Sequence, residues 1–447
     1  MRALRGAAAS FVLFLLVGLA LSWPALRWPM VYDDLHLLRS FTQEERAQVW
    51  RGTWDPDGLE HAGFRPLTVH FNEARYRLFG ENVAAHRLFM VGLFALYASL
   101  LALAASSLAV PFPAAVAAGV LMLCSRYSVY HYTWLTDGNH PLQGVLFAAA
   151  VLALIGGLRR RSPSWLVASL LSFAAAVLVR EDGLALAPVL LLLAFVVTPR
   201  DRRRTLLLYS AALLATSLSL FVYRAWAVPE APPPAFDLRS FAVAVGRTLV
   251  LPGPESFDGL SRAVAWVWIA GAVVALSASV RQRHSTDGRL ALVFLAASVL
   301  ACTPALTFRR DDMLFFAVSF AALFYGTALW VLGRQGTPLR VVAAVMLLAG
   351  VLGGAYNSRA FALNFHPDSA RAVRWNAQML YGPYADRATI PPERRAAIAR
   401  QLAAQGVDSE VDLKGLGARI ARARTEGPFR PTRPGTLFFP PLPEKDF

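Results

Sequence analysis

SPSWLVASLLSFAAAVLV, residues 162 to 179, is followed by RED at 180 to 182 and then by GLALAPVLLLLAFVVTP, residues 183 to 199. Two apolar runs are joined only by Arg180-Glu181-Asp182, and they are flanked by Arg159-Arg160-Arg161 and by the basic cluster from Arg200 to Arg204. Each run approaches the roughly 20 residues that carry a helix across a bilayer. A water-soluble helix would show a polar face, and neither run has one. The same pattern continues outward in both directions. Uncharged stretches occur at 6 to 26, 88 to 125, 138 to 158, 205 to 223, 263 to 280, 290 to 308, 313 to 333 and 341 to 358. Residues 88 to 125 are twice the usual length and are broken by Val110-Pro111-Phe112-Pro113, so they read as two helices with a tight turn. The expected architecture is an all-α polytopic membrane protein of about 11 transmembrane helices.

Composition agrees. The 447 residues are 56% hydrophobic and only 16% charged, which disfavours a soluble enzyme, a disordered chain or a fibrous repeat. A net charge of +15 would suggest nucleic acid in a soluble domain, but in a membrane chain it reports which side the arginines occupy. Nucleic acid is therefore not an expected partner. Cys124 and Cys302 both lie in apolar runs, so no disulfide framework or cysteine-rich metal site is expected.

With the Arg2/Arg5 end in the cytoplasm, the loops at 159 to 161, 200 to 204, 281 to 289 and 334 to 340 all fall inside, as the positive-inside rule demands. The outer face then receives the loop 27 to 87, the turns at 131 to 140, 180 to 182 and 308 to 312, the segment 225 to 262, and the tail. The expected division is a transmembrane domain over 1–358 and a periplasmic tail over 359–447. The first apolar stretch also fits a signal peptide, with Ala20-Leu21-Ser22 as a cleavage region, but its length favours a retained helix. In the tail, Pro391-Pro392-Glu393-Arg394-Arg395 opens one helix and 410 to 424 suits a second, with no internal repeat.

Ionisable groups converge on the outer side from five segments: Asp33-Asp34; Arg65; Asp137 with His140; Arg180-Glu181-Asp182; and Arg309-Arg310-Asp311-Asp312. Charge is expensive inside a bilayer, so each group alone also suits a helix-end anchor or a local ion pair. Charge concentrated in so tight a turn as 180 to 182 is less easily explained that way. Outside the cytoplasm a sugar transferase has no nucleotide sugars and must use a donor carried on polyprenyl phosphate at the membrane interface. Such a reaction needs a carboxylate to take the acceptor proton and cations to hold the departing phosphate. Asp33 and Asp34, being adjacent, point in different directions and are poorly suited to share a proton. One is then a base, the other a partner for an arginine, a metal or the sugar.

With those residues in place, the chain resembles the GT-C class of integral-membrane glycosyltransferases, and within it the transmembrane mannosyltransferases that normally carry tetratricopeptide repeats. Val31-Tyr32-Asp33-Asp34 is similar to the family's first-loop aspartate pair, and Gly63-Phe64-Arg65-Pro66-Leu67-Thr68 to its aromatic-Arg-Pro-Leu motif. Phe79-Gly80-Glu81-Asn82 followed by His86-Arg87-Leu88 resembles the run into the second helix, and Leu178 to Leu184 resembles the Lys-Glu-x-Gly turn with Arg in place of Lys. The resemblance covers about the first 200 residues, and the repeats are absent. It implies that Asp33 or Asp34 is catalytic, that Arg65 and Arg180 contact the donor phosphate, and that Glu181 orients an arginine or the acceptor. Asp182, Asp137, His140, Arg309 and Arg310 are supporting candidates. The class admits a divalent ion on Asp33/Asp34, a weak site by itself. His131 and His140 read as interface residues rather than metal ligands.

The expected function is transfer of a sugar from polyprenyl phosphate to a lipid, glycan or protein acceptor on the periplasmic face of a bacterial inner membrane. Competing readings are a transporter or flippase of lipid-linked glycans, which calls for ionisable or broken-helix features at mid-bilayer, and a non-catalytic assembly protein. No charged residue falls in the middle of an expected span, and the two halves of the chain do not look alike.

Overall fold

The computed structural model describes residues 2–59, 63–128, 130–136, 139–229, 236–252, 259–306, 311–362 and 366–407. Among them every regular element is helical. In chain order these are α1 (Arg2–Ser22), α2 (Asp33–Leu37), α3 (Gln43–Gln48), α4 (Pro66–Phe79), α5 (Val83–Ser107), α6 (Phe112–Cys124), α7 (Tyr130–Thr133), α8 (Asn139–Arg160) and α9 (Pro163–Val179). They continue as α10 (Ala187–Val197), α11 (Arg203–Ala227), α12 (Leu238–Leu249), α13 (Gly259–Arg281), α14 (Thr286–Ala301), α15 (Phe315–Gly333), α16 (Thr337–Ala362), α17 (Ala370–Tyr381) and α18 (Pro392–Ala404).

Eight helices among the described residues are long and apolar enough to cross a membrane, or nine when α6 is joined to the bent segment after it. The remaining apolar stretches form shorter helices: α6 has 13 residues, α9 17 and α10 11. For α9 and α10 the reason lies in the turn between them. Residues Glu181–Leu186 wind as a 3₁₀ helix, so α10 begins only at Ala187, with a proline in its first turn. The break at Val110-Pro111 occurs where the prolines place it, between Ser107 and Phe112.

Packing distinguishes core helices from lipid-facing ones. α15 is 94% buried over its apolar window, enclosed by α6, α13, α14 and α16. Small residues permit this approach: Gly326 leaves no room for a Cβ against the Ala114 carbonyl and Ala118, and Gly119 none against Phe14 of α1. α11 is the opposite case, only 11% buried, with Leu207, Leu208, Leu218, Phe221 and Trp226 all exposed. So large an apolar face is stable in lipid, where there is no hydrophobic penalty.

The basic turns gather at one end of the bundle. Arg159 donates to the Ser107 carbonyl and Arg202 to the Leu158 carbonyl, while Arg161 lies 3.5 Å from Asp201 and Arg334 3.5 Å from Asp287. At the other end, the first long loop has its own small core of Leu37, Phe41, Val49, Trp54 and Val69. Thr42 and Glu45 cap α3 reciprocally there. The described part of the tail, α17 and α18, packs onto this loop, whereas residues 410 to 424, expected to be helical, lie outside the described residues.

Candidate active site at the loop end of the bundle

The aspartate pair opens α2 directly after Tyr32, whose φ of 50° and ψ of −117° are unusual for a residue with a side chain. Such a conformation costs on the order of 1–3 kcal/mol and persists only where the surroundings enforce it. Here the tail does so. Tyr32 N–H donates to Asn376 Oδ1 at 3.2 Å, and its ring meets Trp375 at 5.3 Å and Trp134 at 6.4 Å.

Asp34 is fully buried and both carboxylate oxygens are engaged. Oδ1 accepts from Thr136 N–H at 2.7 Å and Oδ2 from Val31 N–H at 3.4 Å. Burial raises its pKa, against the Thr136 hydrogen bond and the Arg87 charge, which favour the anion. Two buried arginines flank it. Arg87 donates to the carbonyls of Trp28, Pro29 and Thr133, and Arg75 to Asn72 Oδ1 at 2.8 Å and the Leu135 carbonyl at 2.9 Å. Burial pulls the Arg75 guanidinium down to about 10, with Asp34 opposing. Asp33, one residue earlier, is 4% exposed.

A second group forms where α4 meets the 180 to 186 turn. Thr68 Oγ1 donates to the Val179 carbonyl at 2.6 Å, and Arg65 Nε pairs with Glu181 Oε2 at 3.2 Å while its guanidinium stacks 5.1 Å over Trp54. Gly63 is required by this closeness: a Cβ there would stand 2.9 Å from Glu181 Oε1 and 3.1 Å from Arg65 Nε. The adjacent Arg180 is 1% exposed, with Nε 3.3 Å from Asp182 Oδ2, Nη1 3.4 Å from Asn139 Oδ1 and Nη2 3.4 Å from Met313 Sδ. Asp182 also accepts from Gln143 Nε2 at 3.0 Å and lies 3.7 Å from His140 Nε2. Burial alone would raise its carboxyl, yet Arg180, His140 and Gln143 together hold it well below the usual carboxylate range. His140 packs in turn on His131 and Phe315.

Of the sequence-derived candidates, the structure brings Arg65 to Glu181, and Arg180 and His140 to Asp182. Asp34 is tied instead to the 130 to 136 segment. α4 touches both groups, through Thr68 and Arg75. Asp137, Arg309 and Arg310 lie outside the described residues. Sequence reasoning missed Gln143, Arg75 and above all Arg394. That side chain donates to the carbonyls of Asp34, Leu35 and Leu38 and pairs with Glu81. Nothing short-range in the sequence signals it. Asp33 and Asp34 do not belong to a metal-ligand cluster among the described residues; the group that does form is His36, Asp55 and Asp57.

No model of a known protein family matches the chain, and no curated protein matches it either.

Proposed function

We propose that this protein is a GT-C-type glycosyltransferase of about 11 spans. Its N-terminus is cytoplasmic and its tail periplasmic in a bacterial inner membrane, and it moves a sugar from polyprenyl phosphate to an acceptor hydroxyl on the periplasmic face. The observation that carries this reading is the one-ended clustering of buried, mutually ordered acids and arginines: Asp34 against the 130 to 136 segment, Arg65 with Glu181, and Arg180 with Asp182. Buried charge of this kind is costly and marks functional sites. Its location at helix ends suits a substrate whose phosphate sits at the interface, rather than cargo passing through the bilayer centre.

In this mechanism Asp33 is the base. Asp34 is less suited to that task because backbone N–H groups occupy both its oxygens and burial opposes its ionisation. Asp33 takes the proton from the acceptor hydroxyl as that oxygen bonds to the anomeric carbon. The bond from that carbon to the phosphate oxygen breaks at the same time, and its electron pair leaves with the polyprenyl phosphate. Arg65 is the better phosphate contact, since its side chain is 11% exposed against 2% for Arg180. Glu181 sets the angle of its guanidinium, and Arg180 and Asp182 brace the turn that carries Glu181. Tyr32, Trp134 and Trp375 supply an aromatic wall of the sort that stacks on sugar rings.

The test is transfer from a panel of radiolabelled polyprenyl-phosphate sugars to endogenous acceptors in membranes carrying the protein. Label appearing in a lipid, glycan or protein fraction, and dependent on Asp33, supports the proposal and reveals the acceptor class. Absence of turnover with every donor, or transfer indifferent to Asp33→Asn, overturns it.

A further inference from the structure

The first loop contains a second polar cluster that the transfer mechanism does not use. His36 lies on α2, two residues beyond Asp34, and its Nε2 stands 3.5 Å from Asp55 Oδ1, both side chains being essentially inaccessible. Asp57 completes the group, with one ligand atom from each of the three residues within 4.8 Å of the others. The carboxylates are held from behind. Asp55 Oδ2 accepts from the Leu59 backbone N–H, while Oδ1, the oxygen facing His36, accepts from that of Asp57, both at 3.1 Å. Asp57 Oδ1 accepts from Arg39 Nη2 at 3.2 Å and from Thr389 Oγ1 at 2.8 Å.

Asp57 Oδ2 is the independent clue. It is buried, on a side chain only 5% exposed, and has no hydrogen-bond partner among the described residues. Leaving a carboxylate oxygen unsatisfied and out of water costs on the order of 1–3 kcal/mol or more. A cation meets that cost directly. One imidazole and two carboxylates form a donor set for zinc-like divalent metals, and their second oxygens are fixed by the outer hydrogen bonds such ligands usually have. Zinc bound at about 2.1 Å sets tetrahedral ligand atoms about 3.4 Å apart, so His36 and Asp55 already have the required separation. Asp57, whose ligand atom lies within 4.8 Å of the other two, has to close in on the ion.

We propose that His36, Asp55 and Asp57 form a zinc-type divalent metal site that fastens α2 to the 53 to 59 turn. Three protein ligands are one short of a tetrahedral shell, and the fourth position falls to a water molecule taken in with the ion. The metal's part is to hold the helix that presents the aspartate pair. The proposal stands whether or not the protein transfers sugar, because it concerns binding alone.

The experiment uses the full chain, free of any polyhistidine tag, purified in detergent, stripped with chelator and dialysed against zinc chloride. Metal content is then measured by mass spectrometry. The site predicts close to one zinc per chain, a zinc affinity weakened by about tenfold or more in Asp57→Asn and in His36→Gln, and unchanged binding in His366→Gln. Well under one zinc per chain, or equal binding in all variants, overturns it. Should the ligand variants fail to fold, the wild type still decides. Zinc added to the stripped protein must raise its melting temperature reversibly, and an unmoved melting temperature contradicts the site.

Discussion

The guanidinium of Arg394 donates to the main-chain carbonyl of Asp34 at 2.9 Å, across 360 positions of sequence. The same side chain reaches the Leu35 carbonyl at 2.8 Å, the Leu38 carbonyl at 3.1 Å and both oxygens of Glu81. α18 therefore acts as a clamp on the C-terminal end of α2. Arg394→Ala is expected to destabilise the protein by about 2–4 kcal/mol, because it leaves three buried carbonyls without a donor. Arg394→Lys should recover little, since one ammonium cannot reproduce a forked guanidinium. Thermal melting in detergent checks both, and a lysine variant as stable as wild type would count against the clamp.

The closeness of Gly63 to Glu181 gives a second prediction. In Gly63→Ala the new Cβ displaces the far end of the Glu181 side chain, which can move cheaply, but its pairing with Arg65 is lost. Transfer should fall by about tenfold while the melting temperature hardly changes, as expected when orientation and not packing is damaged. Transfer rate and melting measured on the same preparation separate the two effects.

Two buried aspartates respond oppositely to pH. Arg180 and its neighbours hold the Asp182 carboxyl low, so its stabilisation is present above the unfolded pKa of about 3.9 and is lost as pH falls through the lower folded value. Burial raises Asp34, so its contribution is full below about 3.9 and is lost as pH rises through the higher folded value. Relative to wild type, Asp182→Asn should be most damaging near neutrality and progressively less so in acid. Asp34→Asn should be most damaging in acid. Melting temperatures from about pH 2 to 7.5 test this, and parallel curves for the two variants would contradict it.

Sidedness is open to labelling. Both native cysteines are buried, while Arg51 and Arg283 are exposed. Arg51→Cys should react with a membrane-impermeant maleimide in intact spheroplasts, and Arg283→Cys only after permeabilisation. The reverse pattern would invert the proposed orientation.

Much of the helical architecture is legible in the sequence because lipid imposes a simple rule: apolar runs of fixed length between charges. The break at Val110-Pro111-Phe112-Pro113 and the basic turns follow from it directly. Glu181, which the resemblance implies orients an arginine or the acceptor, pairs with Arg65. Residues that act across the fold were not legible. Arg394 looks like an ordinary charge in the first turns of an exposed helix, and Arg75 like a polar residue in a loop. Their burial comes from chain segments far away in sequence. Nor does any local pattern reveal that Asp34 spends both oxygens on backbone donors, or that the ligand cluster gathers around His36 instead of the aspartate pair.

The proposed transfer turns on Asp33 as the base. Its most direct test is single-turnover transfer by purified protein in lipid nanodiscs, with the donor and acceptor that the membrane assay identifies, comparing wild type, Asp33→Asn and Asp34→Asn at equal folded amounts. Asp33→Asn is expected to lose at least about a hundredfold in rate with donor binding retained, and Asp34→Asn to keep a measurable rate in proportion to its folded fraction. A fully active Asp33→Asn protein would rule out Asp33 as the base.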